Sequence, residues 1–213
     1  VIVAGSLTPQ NTQEHYETVV QAGADLFVIR GASVSAEHIS TSHEPLNLKK
    51  FIYELDVPVM VGGVAGYTQA KHLMRTGAAG VLVGFGGGSA MTTRKGLGIS
   101  APMATAIADV AAARSDYLDE SGGRYVHVIA DGGLSRSGDL VKALALGADA
   151  VMIGAPLARA SEAPGQGWYW GNEAHSRDFP RGVRTPLGVV GTLEEVLYGP
   201  SHHVDGTRNI VGA

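Results

Sequence analysis

A chain of 213 residues with 30 glycines, no cysteine and a net charge of −4 is sized for one ordinary domain or for an incomplete copy of a larger one. The absence of cysteine excludes a disulfide scaffold and a thiolate metal site, and the lack of a basic run removes the electrostatic footprint of a nucleic-acid binder. No apolar stretch reaches membrane-spanning length, so neither nucleic acid nor a membrane is expected as a partner, and a cytoplasmic protein is.

Along the chain, short runs rich in Val, Ile and Leu alternate with helical patterns. Strands are predicted at Val1 to Ala4, Leu26 to Ile29, Val57 to Val61, Gly80 to Val83, Val126 to Ala130 and Ala150 to Ile153. Their apolar character is continuous rather than alternating, which is what a parallel sheet covered on both faces requires. Helices are predicted between them at Gln13 to Ala22, Asn47 to Leu55, Thr68 to Thr76, Met103 to Arg114 and Ser137 to Leu146. Gly23, Gly77 and Gly147 each follow a helix and lead directly into a strand, the stop signal of a repeating βα unit. The expected class is α/β, a TIM (β/α)8 barrel seen as a fragment of about six βα units, its strands three to eight, with two strands expected before Val1. The barrel portion is read as residues 1–160. From Ser161 the pattern gives way to Gly, Pro and aromatic residues, and 161–213 is read as a loop-rich lid of the same domain.

Two glycine corners point to a ligand. Val128-Ile129-Ala130-Asp131-Gly132-Gly133 and Ala150-Val151-Met152-Ile153-Gly154-Ala155 each end an apolar strand in a turn where backbone N–H groups can approach a phosphate closely. Asp131 stands where strand meets turn, without an evident structural partner. A carboxylate beside a phosphate cradle suits neutral hydroxyls better than a second anion, so a phosphorylated small molecule carrying hydroxyls is expected.

These segments together resemble the IMP dehydrogenase and GMP reductase family, and most closely its branch of IMP dehydrogenase-related proteins. The resemblance is carried by Gly84-Phe85-Gly86-Gly87-Gly88-Ser89-Ala90-Met91-Thr92-Thr93-Arg94, which looks like the family's catalytic loop, and by Ile129 to Gly133, Ser137-Gly138-Asp139, Gly147 to Gly154 and Glu162-Ala163-Pro164-Gly165 in the family's order. It implies a purine nucleoside monophosphate (IMP, GMP or XMP) as ligand. Ser89 and the turns at Gly132, Gly133, Gly154 and Ala155 would hold its phosphate, Asp131 its ribose, and Gly171 the base edge. NAD or NADP would lie by Arg30, Gly62 and Gly63, and the carbonyls of Gly86, Gly88 and Met91 would hold a monovalent cation such as K+. The family precedent is a homotetramer. Met91 falls on the position of the family's cysteine nucleophile, and Arg30 on an aspartate directed at the nicotinamide ribose. A thioether cannot form a thiolate, so the resemblance implies an oxidoreductase homologue whose redox step is impaired or altered.

Other side chains have weaker patterns. Thr93 could assist proton transfer or cap a turn, with Arg94 pairing a carboxylate. His38 and His43 follow a strand end, and His202, His203 and Asp205 form a loose metal-like cluster read as a solvated loop. His127 is expected in the core or lining the barrel. Trp168, Tyr169 and Trp170 suit either stacking on a purine or packing a lid. Arg114, Asp116, Asp119, Glu120 and Arg124 read as a solvated charged connection. Two other functions fit parts of the pattern: a nucleotide-binding regulator or partner of an active paralogue, and an FMN-dependent barrel oxidoreductase.

Overall fold

The structure, a computed structural model, describes residues 1–31, 44–171, 184–199 and 210. His38, His43, His202, His203 and Asp205 lie outside the described residues.

Six strands form one sheet in sequence order: β1 (Ala4–Leu7), β2 (Leu26–Arg30), β3 (Val59–Val64), β4 (Gly80–Val83), β5 (His127–Asp131) and β6 (Ala150–Met152), every neighbouring pair parallel. Helices α1 (Pro9–Gln21), α2 (Leu48–Glu54), α3 (Tyr67–Arg75), α4 (Thr93–Leu97), α5 (Met103–Glu120), α6 (Ser137–Ala145) and α7 (Ala155–Ala158) alternate with them. A short antiparallel pair, β7 (Trp168–Tyr169) and β8 (Thr185–Pro186), and α8 (Leu193–Tyr198) follow. The sheet and its helices make up part of a (β/α)8 barrel.

The two sheet faces explain the continuous apolar runs. Phe27, Ile29, Val59, Val61, Val81, Val83, Val128 and Ala130 face outward in one core with Leu73 and Met74 of α3 and Ile107 and Val110 of α5, and Phe27 meets Phe51 of α2 edge-on. Val28, Leu82 and Ile129 face inward with Leu26, Met60 and Met152. Because side chains alternate along a strand, the next inward positions at the C-terminal ends are Arg30 on β2 and Asp131 on β5. His127 shares that inward face with Ile129, as a barrel-lining residue should, but is exposed and stacks edge-on against Tyr125.

Gly147 shows why helices stop where the sequence said. It follows α6 at φ +108°, and a Cβ there would lie 2.7 Å from the Cβ of Ala111 on α5, so both dihedral and space require glycine.

Several boundaries differ from expectation. The first strand begins at Ala4 rather than Val1, because its partner β2 starts at Leu26; Val3 joins the ladder only through its carbonyl, which accepts the Asp25 and Leu26 N–H groups at 2.8 and 3.2 Å. Strand β3 begins after Pro58, which has no N–H to give, and runs on through Gly62 and Gly63. Helix α1 starts at Pro9, whose fixed φ suits a first turn. Helix α5 continues to Glu120, since Tyr117 is buried and Arg75 and Lys71 hold Glu120 at 2.7 and 3.2 Å. Helix α6 has Arg136 rather than a serine at its N-cap, and Asp139 accepts the Ser135 N–H at 3.4 Å.

Of the charged connection before β5, Asp116, Asp119, Glu120 and Arg124 are exposed as expected, whereas Arg114 is half-buried. The Asp149 carboxylate accepts the Val128 N–H at 2.7 Å, Arg114 Nη1 at 2.8 Å and the Tyr125 hydroxyl at 2.5 Å. This knot ties α5 to β5 and to the turn before β6, at the N-terminal end of the barrel.

Candidate functional site

The C-terminal strand ends meet in a floor built around one ion pair. Arg30 Nε donates to Asp131 Oδ2 at 2.8 Å and Arg30 Nη2 to Oδ1 at 3.1 Å, a side-on fork between β2 and β5. The two strands between them carry glycine at this level. A Cβ on Gly62 would collide with Leu82, and one on Gly84 with the Asp131 carbonyl, so glycine here lets neighbouring strand ends approach closely. Asp131 thus has the structural partner that the sequence left unseen. Its side chain is 12% exposed and that of Arg30 34%. Gly31 and Gly63 complete the neighbouring turn, the Gly31 N–H donating to Gly62 O at 2.8 Å and the Gly63 N–H to Gly31 O at 3.1 Å.

The loop from Gly84 to Thr92 folds over the end of β5. Its start is fixed by the Gly84 N–H on Val64 O at 2.8 Å, and a tight turn is closed by the Met91 N–H on Gly88 O at 3.0 Å. Gly132 and Gly133, at φ +111° and +73°, lie directly against it: a Cβ on Gly132 would sit 3.3 Å from Gly88 N, and one on Gly133 3.3 Å from Gly87 O. No residue with a side chain fits these close backbone contacts without displacement. Ser89 follows at the exposed edge, Ala90 is buried, and Met91 is half-buried. Thr92 is the N-cap residue of α4 and Thr93 its first helical residue, 3.6 Å at Cβ from the space a Gly86 side chain would need. Arg94 is exposed.

On the other side of β5, Gly154 follows β6 and is the N-cap of α7, with Ala155 the first residue of that helix. A Cβ on Gly154 would lie 2.6 Å from the Tyr169 hydroxyl, so the aromatic strand β7 leans onto this corner. Trp170 carries Arg184 over its ring at 5.4 Å, and Gly171 comes next. An apolar cavity of about 440 Å³ lies on this side, lined among others by Leu157, Pro164, Trp168, Tyr169, Trp170 and Leu193. The structure therefore joins Arg30 to Asp131, the Ser89 and Met91 loop to Gly132 and Gly133, and Tyr169 to Gly154. The first and third pairings escaped the sequence. Opposite charges at inward strand ends were the available signal for the first.

The chemistry of Arg30 also bears on a nicotinamide cofactor. A guanidinium has five donors and no acceptor, so Arg30 cannot receive the ribose hydroxyl protons that an aspartate at its position would take. The residues present do not fit that contact. Among the described residues no group of three His, Asp or Glu side chains converges on a metal position, and no helix is long and apolar enough to cross a membrane.

Residues 1–186 match the protein-family profile described as IMP dehydrogenase / GMP reductase domain. A protein of Mycolicibacterium smegmatis described as an uncharacterized oxidoreductase is 56% identical over 215 aligned residues, covering 100% of this chain and 57% of the relative. An inosine-5′-monophosphate dehydrogenase of Thermoplasma acidophilum is 43% identical over 148 residues, 70% of this chain and 28% of that enzyme. The crystal structure of an IMP dehydrogenase/GMP reductase-like protein from Corynebacterium glutamicum superposes with a TM-score of 0.90 at 55% identity, over 99% of this chain and 55% of that one. The chain thus spans little more than half the length of these two full-coverage relatives. Fold, ordered motifs and relatives agree that this chain belongs to the IMP dehydrogenase / GMP reductase family.

Proposed function

We propose that this member of an oxidoreductase family binds a purine nucleoside monophosphate at the strand ends of its barrel, with a redox step impaired or altered by Met91. The observation that carries the proposal is the packing of the Gly87-Gly88 backbone on the Gly132-Gly133 turn, directly beyond Asp131. It puts a serine-bearing loop, a pair of left-handed glycines and a carboxylate in one corner. In this reading the N–H groups of Gly133, Gly154 and Ala155 and the Ser89 hydroxyl hold the phosphate, Asp131 accepts from the ribose hydroxyls, and the Gly171 backbone reads the base edge. Tyr169 and the tryptophans beside it form part of a lid over the Gly154 corner. The carbonyls of Gly86, Gly88 and Met91 would hold a monovalent cation; the Gly88 oxygen already accepts the Met91 N–H and has one lone pair left for it. The homotetramer of the family is part of the proposal.

Substitution of Asp131 by alanine tests the ribose assignment. Asp131→Ala is expected to weaken IMP binding by ~1 to 3 kcal/mol, the loss of a charged acceptor for hydroxyl hydrogen bonds. Inorganic phosphate should bind almost as before. Equal loss of both ligands in titration calorimetry would show that Asp131 shapes the fold instead.

A binding protein without catalysis is the second reading, and one observation favours it. The half-buried side chain on the loop beside Gly132 is a methionine, which supplies no nucleophile.

A further inference from the structure

Asp131 serves two sets of donors if it reads a ribose, and the geometry lets it serve both. A carboxylate offers about four lone-pair sites. The Arg30 fork takes one from each oxygen, through Nε on Oδ2 at 2.8 Å and Nη2 on Oδ1 at 3.1 Å. One site per oxygen remains, which matches the two hydroxyls of a ribose cis-diol. The fork also fixes the plane of the carboxylate, because two parallel bonds oppose rotation about the terminal torsion that would otherwise be broad. At 12% exposure the Asp131 side chain is largely removed from water, so its remaining acceptor sites are not freely solvated.

We infer that Arg30 is a positioning residue: it holds Asp131 in the orientation that reads the ribose cis-diol, and so sets the preference of the site for ribonucleotides over 2′-deoxyribonucleotides. The inference rests on the nucleotide reading given above. Lysine is no substitute, since an ammonium is a point charge without a planar fork.

Titration calorimetry on the full-length protein with IMP, 2′-deoxy-IMP and inorganic phosphate tests this. The unmodified protein should favour IMP over its 2′-deoxy analogue by about tenfold or more, the loss of one hydrogen bond to a charged acceptor. In Arg30→Gln and in Arg30→Lys that ratio should fall to about threefold or less while phosphate affinity stays within about twofold. A merely structural role would move all three ligands together, and that outcome overturns the inference. So does an unchanged ratio in Arg30→Gln, or tighter IMP binding there, which would make Arg30 a competitor of ribose for Asp131. Failure of the unmodified protein to bind IMP at all overturns the nucleotide reading and this inference with it; IMP binding with an unchanged ratio in the variants overturns the inference alone.

Discussion

The full-length protein as it stands is expected to bind IMP and to oxidise almost none of it with NAD. Oxidation through a covalent adduct needs a group that attacks the purine and later departs, and removing such a nucleophile costs on the order of 10⁶-fold in rate because the remaining groups cannot imitate it. In the proposed reading Met91 occupies that position, on a loop whose Gly87 and Gly88 backbone packs against Gly132 and Gly133. Met91→Cys restores a thiol but leaves Arg30 where a hydroxyl acceptor is wanted, so only a trace of NADH formation is expected from it. Adding Arg30→Asp supplies that acceptor, so the double variant should do better than either change alone. It also removes the guanidinium fork on the Asp131 carboxylate, which the shorter aspartate does not replace. The measurement is the absorbance of NADH in steady state. Robust turnover by the unmodified protein would mean that another residue supplies the nucleophile.

Asp149→Ala is expected to cost about 3 kcal/mol of stability, read as a lowered melting temperature and denaturation midpoint. The change would leave the Val128 N–H without its acceptor and strand the Arg114 guanidinium, 15% exposed, without its counter-ion. The same knot governs the acid limb of stability. Burial alone would raise the Asp149 carboxyl, but the hydrogen bonds from Tyr125 and the Val128 N–H, with the nearby charge of Arg114, outweigh it and hold the group below the usual carboxylate range. A carboxyl lowered in the folded state contributes stability that is complete above its unfolded value of about 3.9 and is lost as pH falls through the folded value. Glu120 acts in the same direction. Hydrogen bonds from Arg75 and then Lys71 bring it from 4.5 to about 2, so its contribution fades between those values on the protein surface. The unmodified protein should therefore lose stability below about pH 4, and Asp149→Ala should lose less over that range. An acid profile identical in the two proteins would remove Asp149 from this role.

The order of the sheet was legible because buried parallel strands must be apolar on both faces, and because Gly23, Gly77 and Gly147 mark helix ends that only a left-handed residue suits. The strand ends were less legible, since a ladder stops where its neighbour stops: Val1 to Val3 are as apolar as any strand, yet the register of β1 with β2 begins at Ala4 and Leu26, and Val3 meets only the start of β2 through its carbonyl. Helix α8 was missed although Thr192 and Glu195 spell a capping box, which the structure forms in full. Helices α4 and α7, of 5 and 4 residues, are too short to show a period. At the site, the glycine motifs announced close backbone approaches, and the contacts between Gly87, Gly88, Gly132 and Gly133 are of that kind. The Arg30 to Asp131 pair was hidden for a different reason. The partners are 101 residues apart, and only the inward parity of two strands in one curved sheet brings them together.

The most direct measurement is a crystal structure of the full-length protein grown with IMP. The account places the phosphate within hydrogen-bond distance of the N–H groups of Gly133, Gly154 and Ala155, with the ribose hydroxyls on Asp131 while Arg30 still holds that carboxylate from its other side. A nucleotide bound elsewhere, or a ribose that turns away from Asp131 with the Arg30 pair undisturbed, would contradict it.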